Sequence, residues 1–304
     1  MNPRIVFMGS PDFAVPTLRR LAERYIITGV ITQPDRPAGR GRTLTAPPVK
    51  VLAQELRLPL IQPVKLRQSE AMQQLIQWAP DLIVVAAFGQ ILRPQVLDLP
   101  PYGCLNVHAS LLPRWRGAAP INAAILHGDL QTGVTIMRMD PGVDTGPILS
   151  QRAEPIRPVD TAGELSRRLA ELGADLFIDT LPGYLSGEIQ PQPQKEALAT
   201  YAPMLKKEDG ALDFTQPATE LERRVRAFQP WPGAYIEWSG GLLKILHTAV
   251  IDTLPADSLG ARLIYHSLPA VQTAQGLLLL EEVQPAGKKS MPGKDFLQGA
   301  RNWA

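Results

Sequence analysis

Leu82 to Ala87 reads LIVVAA, a run of six apolar residues in which β-branched side chains are frequent. Two similar runs precede it, RIVFM at Arg4 to Met8 and IITGVI at Ile26 to Ile31. Each run is apolar at consecutive positions and does not alternate with polar residues, which is typical of strands buried on both faces. The three runs therefore predict a parallel sheet with helices packed on both sides.

Helical segments and further strands surround these three runs. Apolar residues recur with helical spacing at Phe13 to Arg24, Ser69 to Trp78 and Thr161 to Leu185. Two more strands are predicted at Cys104 to His108 and Val134 to Met139. Residues 1–188 are therefore expected to form an α/β domain with an open, mostly parallel, Rossmann-like sheet. In such sheets, ligands bind at the carboxyl ends of the strands.

The composition and the apolar pattern of the sequence change after residue 188. The stretch GEIQPQPQ, residues 187–194, is polar and has no helical or strand period, so residues 189–207 are predicted to be a linker. Within residues 208–304, one helical segment precedes several short strand candidates: Ala218 to Phe228, then Ala234 to Trp238, Leu242 to Ala249 and Leu277 to Val283. Short strands separated by Gly and Pro predict a small β-barrel of the oligonucleotide-binding (OB-like) type.

The composition indicates an ordinary globular chain. Apolar residues make up 45% and charged residues 20% of the 304 positions, which excludes a disordered or fibrous protein. No run approaches the roughly 18 apolar residues of a membrane span, and the N-terminal apolar core is too short for a signal peptide. Because Cys104 is the single cysteine, no internal disulfide can form, so we expect a cytoplasmic protein. We expect it to act as a monomer.

Positive charge is concentrated in one segment of the chain. The formal net charge is only +2, but residues 33–67 contain seven cationic and two acidic side chains, a local charge of +5. Such a segment can bind a polyanion even though the net charge of the whole chain is small.

Asn106 and His108 lie two residues apart on a predicted strand, in the stretch LNVHASLLPRWRG of residues 105–117. Residues two apart on a strand point to the same face, so both polar groups can converge on one atom. An amide donor beside an imidazole is suited to holding an oxyanion and moving a proton. The alternative is a strand end whose polar side chains only satisfy nearby backbone groups.

A second polar segment, MDPGVDTG, follows the predicted strand Val134 to Met139. Its Pro and Gly residues predict a tight loop, placed at the carboxyl end of a strand, where open α/β sheets bind their ligands. The loop carries two carboxylates, Asp140 and Asp144, either of which could orient His108 or accept a proton. Aspartates in such turns usually serve the turn, and the spacing alone leaves the choice open.

Other reactive side chains are expected to be structural. Cys104 is four strand residues from His108, about 13 Å away, which is too far for direct deprotonation, so a buried structural thiol is predicted. No grouping of residues has metal-ligand spacing, and we expect no metal. A nicotinamide cofactor is not expected either, because Gly9-Ser-Pro follows the first strand where a G-x-G-x-x-G fingerprint is needed.

The segments LNVHASLLPRWRGAAPI and GVTIMRMDPGVDTGPIL together resemble the signature of the 10-formyltetrahydrofolate-dependent formyltransferases. The similarity runs nearly end to end, through FMGSPDFAVPTL, TQPDRPAGRGR, AFQPWPGAY and VQPAGKKSM. The resemblance implies an enzyme whose formyl donor is 10-formyltetrahydrofolate. The basic loop and the second domain point to the members that formylate methionine on initiator tRNA. Members that act on glycinamide ribonucleotide or nucleotide amino sugars share the same Asn, His and Asp core.

The resemblance also implies roles for individual residues. The catalytic positions fall on Asn106, His108 and Asp144, which favours Asp144 over Asp140. Folate contacts are implied for two segments: Ser110, Leu111, Leu112 and Pro113, and Phe88, Gly89, Gln90, Ile91 and Leu92. Contacts with tRNA are implied for Arg36, Arg40 and Arg42 in the basic loop and for Lys206 and Lys207 in the predicted linker. A solvated basic loop, a small-molecule acceptor and a non-catalytic RNA-binding protein remain as alternatives.

Overall fold

The computed structural model describes residues 2–38, 43–239, 241–252, 258–300 and 302–304. The chain divides into two compact units. Unit 1 comprises Met1–Gly117, Gln131–Pro155 and Ser166–Tyr201, and unit 2 comprises Ala118–Leu130, Ile156–Leu165 and Ala202–Ala304. The part of the predicted linker that precedes Ala202 is thus grouped with unit 1. The domain limits at residues 188 and 207 stay predictions.

The described strands are β1 (Arg4–Gly9), β2 (Ile26–Ile31), β3 (Arg36–Ala38), β4 (Thr43–Thr45), β5 (Leu60–Ile61), β6 (Leu82–Ala86), β7 (Cys104–His108), β8 (Arg116–Gly117), β9 (Gln131–Arg138), β10 (Ile148–Pro155), β11 (Tyr201–Ala202), β12 (Ala234–Trp238), β13 (Gly241–Ile251), β14 (Arg262–Tyr265), β15 (Leu268–Gln272), β16 (Leu277–Pro285) and β17 (Met291–Pro292). The described α-helices are α1 (Val15–Arg24), α2 (Pro48–Glu55), α3 (Ser69–Gln77), α4 (Pro94–Leu97), α5 (Pro120–Leu126), α6 (Ala162–Leu185), α7 (Ala218–Ala227) and α8 (Gly293–Gly299). Every strand and helix named from the sequence pattern is present, with ends that differ by a few residues.

Unit 1 is built on a seven-stranded sheet in the order β10-β9-β7-β6-β1-β2-β5. The strands from β7 to β5 pair in parallel, whereas β9 is antiparallel to both of its neighbours. All five residues of β6 are buried, as the continuous apolar pattern predicts for a strand covered on both faces, and all five residues of β7 are buried as well. The predicted open, mostly parallel sheet is confirmed.

The direction of β9 corrects one step of the sequence argument. In the β7–β9 pairing, Leu105 lies opposite Arg138 and His108 lies opposite Thr135. The carboxyl end of β9 is therefore next to the start of β7. The Asp140–Asp144 loop follows β9 at the end of the sheet where the parallel strands begin, whereas it was expected at their carboxyl ends. The expectation was wrong because an apolar run predicts a strand without giving its direction in the sheet.

One core cluster of unit 1 lies between α3 and the sheet. Leu75 of α3 and Met8, Ile83 and Val85 of the strands are buried in one cluster, and burial of such a side chain contributes about 1.5–3 kcal/mol.

Unit 2 contains an antiparallel sheet in the order β12-β13-β16-β15-β14, with β17 paired to β16. Ala218, Leu221 and Val225 of α7 have helical spacing and are buried in the same core cluster as Phe296 of α8 and Trp303. The rings of Phe296 and Trp303 pack edge to face with centroids 5.6 Å apart. An antiparallel sheet closed over by helices agrees with the small β-barrel domain expected from the sequence.

Within the described residues, no helix combines the length and the apolar character that crossing a bilayer needs.

Candidate active site

Asn106 and His108 lie on β7 of unit 1, and both side chains meet the carboxylate of Asp144. The Asn106 amide Nδ2 donates to Asp144 Oδ1 at 3.4 Å, and His108 Nδ1 lies 3.6 Å from Asp144 Oδ2. Asn106 and His108 are 8% and 5% exposed, so their polar atoms are shielded from bulk water. The structure therefore brings together the three side chains that the resemblance singles out.

The structure also separates the roles of the two aspartates. Asp144 Oδ2 accepts a hydrogen bond of 2.8 Å from the backbone N–H of Gly117, which fixes the carboxylate beside His108. Asp140 Oδ1 instead accepts bonds from Gly142 N at 3.1 Å and Thr145 Oγ1 at 2.6 Å, both within its own loop. Asp140 is thus a turn residue, and Asp144 is the carboxylate that faces the imidazole.

The β9–β10 loop turns back sharply, and this explains how Asp144 reaches β7 despite the direction of β9. The N–H of Arg138 donates to the carbonyl of Pro147 at 2.9 Å, which closes the loop at its base. A Cβ on Gly146 would lie only 1.9 Å from the Arg138 carbonyl oxygen, so glycine is required for this close approach. Asp144 itself adopts a left-handed backbone conformation with φ of 52°.

The hydrogen bonds of His108 define where its protons are. Nε2 lies 3.0 Å from the carbonyl oxygen of Trp115. A carbonyl only accepts, so Nε2 carries a proton, and the neutral ring has its lone pair on Nδ1, facing Asp144. Trp115 is held in place by a bond of 2.9 Å from its N–H to Thr200 Oγ1. The imidazole is thereby oriented from one side, and its basic nitrogen lies next to a carboxylate.

The segment Ser110 to Pro113, for which folate contacts are implied, is fixed mainly through its backbone. The carbonyl of Ser110 and the N–H of Leu112 both bond to Thr135 Oγ1, at 2.6 and 3.1 Å. The hydroxyl of Ser110 donates to the Arg114 carbonyl at 2.6 Å. Ser110 and Leu112 are buried, whereas Leu111 and Pro113 are half-buried. The two half-buried side chains are the parts of this segment open to a ligand.

The second implied folate segment, Phe88 to Leu92, follows the carboxyl end of β6 and borders two cavities. One cavity of about 440 Å³ is lined by Phe88, Gly89 and residues that include Ser10 and Gln33. The other, of about 460 Å³, is lined by Gly89, Gln90 and Ile91. Ile91 is 83% exposed and Leu92 only 3% exposed. Cavities of this size are in the range that binds small organic ligands.

The basic residues with implied tRNA contacts are partly described. Arg36 is exposed on β3, which pairs with β4, and its guanidinium donates to Gln33 Oε1 at 3.2 Å. Lys206 and Lys207 are also exposed. Arg40 and Arg42 lie outside the described residues. The role of these residues stays a prediction.

Sequence reasoning missed a buried network beside the site. Arg116, in the Arg-Trp-Arg motif, is 1% exposed and pairs with Gln194 and Glu196. Gln194 in turn bonds to the backbone of the β9–β10 loop. Gln194 and Glu196 fall in the stretch predicted to be a linker, where the polar, aperiodic sequence gives no signal for a packed role.

Cys104 is a buried structural thiol, as predicted. Its Sγ lies 3.6 Å from the carbonyl of Val96, and burial raises the pKa of the thiol to about 12. A thiol with so high a pKa is a poor nucleophile. Across the described ranges of the chain, His, Cys, Asp and Glu side chains form no group of three that could hold a metal ion.

Comparisons with known proteins identify the family. Residues 3–181 match the family model "Formyl transferase", and residues 204–301 match "Formyl transferase, C-terminal domain". The methionyl-tRNA formyltransferase of Roseiflexus sp. (strain RS-1) is 50% identical over 304 residues, which cover 99% of this chain and 94% of that protein.

Solved structures show the same fold. WlaRD, a sugar 3N-formyltransferase crystallised in the presence of dTDP and 5-N-formyl-THF, superimposes with a TM-score of 0.68 at 17% identity, covering 94% of this chain and 98% of WlaRD. HypX from Aquifex aeolicus, in complex with tetrahydrofolic acid, gives a TM-score of 0.64 at 18% identity. That match covers 98% of this chain but only 47% of HypX, so the chain spans about half of the HypX length. By sequence over nearly its whole length, the chain belongs to the formyl transferase family.

Proposed function

We propose that this enzyme transfers the formyl group of 10-formyltetrahydrofolate to the α-amino group of methionine on initiator tRNA. The observation that carries the proposal is the 50% identity, over 99% of the chain, to a relative named methionyl-tRNA formyltransferase. The convergence of Asn106, His108 and Asp144 within 3.6 Å supports it chemically. Such an activity supplies formylated initiator for translation.

The folate is a substrate that donates its formyl group in the transfer. The two cavities beside the Phe88–Leu92 segment provide space for an aromatic ring system, and their walls combine apolar side chains with polar and cationic ones. The half-buried Leu111 and Pro113 offer a further apolar surface. These features support the assignment of residues 88–92 and 110–113 to folate binding.

Asn106 is assigned to the oxygen of the reacting formyl group. When the methionine amine attacks the formyl carbon, the C=O electron pair moves onto oxygen and a tetrahedral oxyanion forms. Asn106 Nδ2 has two hydrogens, and Asp144 uses only one of them. The second can donate to the oxyanion, an interaction whose loss typically costs about 100- to 1,000-fold in rate.

His108 and Asp144 are assigned to the proton. The Nε2–H of His108 bonds to the Trp115 carbonyl, so Nδ1 is the nitrogen that can accept the proton lost by the attacking amine. The imidazolium formed in this way faces the Asp144 carboxylate, which balances its positive charge. When the C–N10 bond breaks, the same proton can pass to N10. The Trp115 carbonyl therefore orients the imidazole, and Asp144 stabilises its charged form.

Recognition of tRNA is assigned to the basic loop and to unit 2. Arg36, Arg40 and Arg42, with Lys206 and Lys207, offer cations for phosphates, and the exposure of the three described ones supports this role. A small antiparallel β-domain that matches the family's C-terminal model is a suitable second contact surface. We propose that the protein is cytoplasmic, in accord with its single cysteine. We also propose that it acts as a monomer.

The proposed function is tested by acceptor competition. The protein is incubated with 10-formyltetrahydrofolate and methionine-charged initiator tRNA, and N-formylmethionine is measured after base hydrolysis of the tRNA ester. Parallel reactions contain glycinamide ribonucleotide or a nucleotide-linked amino sugar as the acceptor. Formylation of the charged tRNA alone is expected. Transfer to a small amine without transfer to tRNA would overturn the proposal, and transfer to none of them would indicate a non-catalytic protein.

A further inference from the structure

Gln194 makes three side-chain hydrogen bonds that tie the Asp144 loop to the rest of unit 1. Its Nε2 donates to the backbone carbonyl of Asp144 at 2.8 Å and to that of Gly146 at 2.7 Å. Both hydrogens of the amide are thus used on the two carbonyls that flank Thr145. The backbone of the catalytic aspartate is held from outside its own loop.

Arg116 fixes which way the Gln194 amide points. Arg116 Nε donates to Gln194 Oε1 at 3.1 Å, so the oxygen of the amide faces the guanidinium and the NH2 group faces the loop. Arg116 is almost fully buried, and its Nη1 forms an ion pair with Glu196 Oε2 at 2.9 Å. The guanidinium therefore has little freedom to turn. The two residues therefore form a rigid support for the loop.

The backbone of Asp144 needs such support. Its φ of 52° lies in the left-handed region, which is uncommon for non-glycine residues, although aspartate adopts it more readily than most, and contacts from its surroundings stabilise it. The Asp144 carboxylate is held through Gly117, and the Asp144 carbonyl is held through Gln194. Gly117 is the neighbour of Arg116, so both anchors converge on the same short segment.

We propose that Gln194 is a positioning residue for formyl transfer, which holds Asp144 in register with His108. This inference rests on the proposed function of the Asn106, His108 and Asp144 group. Gln194 touches neither the folate nor the amine in this account; it acts through the geometry of Asp144. Misplacement of a catalytic group by about 1 Å can cost about a hundredfold in rate.

The informative substitution is Gln194→Glu. It keeps an acceptor for Arg116 but removes both donors, and it places a carboxylate oxygen against the carbonyls of Asp144 and Gly146. We expect kcat to fall at least about tenfold, while KM for folate and for tRNA changes by less than about twofold, because no substrate contact is lost. Gln192→Glu is the matched control, since the Gln192 Nε2 donates within its own segment, to the Gln190 carbonyl, and not to the Asp144 loop as far as the described residues show.

A double-mutant cycle separates positioning from a general structural role. In the Asp144→Asn background, Gln194→Glu should reduce single-turnover rates by less than about twofold, because its effect passes through Asp144. Thermal unfolding of each variant checks that the fold is retained. A normal kcat for Gln194→Glu, a fall equal to that of Gln192→Glu, or an undiminished effect in the Asp144→Asn background would each overturn the inference. Absence of transfer by the unmodified protein would instead refute the proposed function.

Discussion

At the scale of single residues, the proposed chemistry depends on one carboxylate that contacts three groups. Asp144 accepts hydrogen bonds from Gly117 N and Asn106 Nδ2 and lies against Nδ1 of His108. The contacts with Gly117 and Asn106 require an acceptor at that position, and the imidazolium that forms on His108 during the proposed transfer requires a negative charge there. A neutral amide of the same shape can keep at most part of this arrangement, since its NH2 end repels the other donors.

Asp144→Asn is therefore expected to reduce kcat at least a hundredfold, in the range of about 100- to 1,000-fold that loss of one pre-organised electrostatic group costs. The measurement is steady-state formylation of charged initiator tRNA, with thermal unfolding to verify the fold. Asp140→Asn is the matched control, because Asp140 bonds only within its own loop. Near-normal turnover of Asp144→Asn would contradict the assignment of this carboxylate.

Cys104 gives a prediction about pH. Its thiol has a pKa of about 12 in the folded chain, against an ordinary value of 9.0, so between these limits the unfolded thiol loses its proton while the folded one keeps it. Unfolding then releases a proton, and the free energy of unfolding falls as the pH rises above about 9, by up to about 1.4 kcal/mol per pH unit. Below pH 9 both states keep the proton, and the thiol makes no contribution.

Urea unfolding of the native chain and of Cys104→Ala at about pH 8, 9.5 and 10.5, one value below and two above the ordinary pKa of a thiol, measures this effect. The difference between the two proteins isolates the thiol from tyrosines that titrate in the same range. At pH 8 the native thiol should also resist alkylation, and unfolded chain should react readily. Rapid alkylation of the native protein, or parallel pH profiles of the two chains, would show that the thiol is accessible.

At the scale of elements, the β9–β10 loop shows how far a sequence can predict a site. The arrangement of apolar residues along β6, β7 and α6 was sufficient to predict these elements, because the pattern that a buried strand or helix face requires is local in the sequence. The alternation of Asn106 and His108 on β7 was also readable. The antiparallel direction of β9 was not, since it depends on the pairing with β7, which is a property of the tertiary fold.

The supporting role of Gln194 was equally hidden from the sequence. It arises from contacts between residues about 50 positions apart, and its polar surroundings resemble those of a solvated linker. The choice between Asp140 and Asp144 came from the resemblance, because both aspartates occur in the same turn-forming motif. Only the hydrogen bonds of each carboxylate give a physical reason for that choice.

The close packing of this loop predicts the effect of Gly146→Ala. The added Cβ would lie 1.9 Å from the Arg138 carbonyl oxygen, a backbone atom that cannot move aside, so the loop must shift. We expect a loss of roughly 1–3 kcal/mol in the stability of unit 1 and a fall in kcat of up to about a hundredfold from misplacement of Asp144. Unfolding curves and formylation rates measure the two effects.

Gly299→Ala is the control for this substitution. Among the described residues, no atom lies within 4 Å of the added Cβ, so the effect on stability should stay within about 0.5 kcal/mol. If Gly146→Ala behaved in the same way as Gly299→Ala, the tight closure of the loop would not be a requirement of the site.

At the scale of the whole molecule, the distribution of charge matters more than its total. A net charge of +2 gives little long-range attraction for a polyanion, whereas the local charge of +5 over residues 33–67 can act on a nearby phosphate backbone. In unit 1 this segment contains the paired strands β3 and β4. Gln33, at its start, donates from its side-chain amide to the Phe88 carbonyl at 3.1 Å. The basic segment and the proposed folate segment are therefore adjacent in one unit.

Replacement of Arg40 and Arg42 by alanine should weaken binding of initiator tRNA and flatten its dependence on salt. The slope of log K against log[salt] is negative, and each phosphate contact that is lost reduces its magnitude by about 0.7 to 0.9. Loss of two contacts should therefore reduce the magnitude by about 1.5. The slope is measured by titration of tRNA at several salt concentrations. Folate binding and thermal unfolding should stay unchanged, because the proposed role of the two arginines is confined to the phosphates of the tRNA.

The matched control removes the same charge elsewhere, through Arg19→Ala and Arg167→Ala on the exposed faces of α1 and α6. If net charge alone attracted the tRNA, both double variants would bind equally weakly and with equal salt dependence. If the basic loop contacts phosphates, only the loop variant should lose slope, and the control should lose at most a small fraction of its affinity. An unchanged slope for the Arg40 and Arg42 variant would mean that this loop is solvated and that the phosphates are met by other cations.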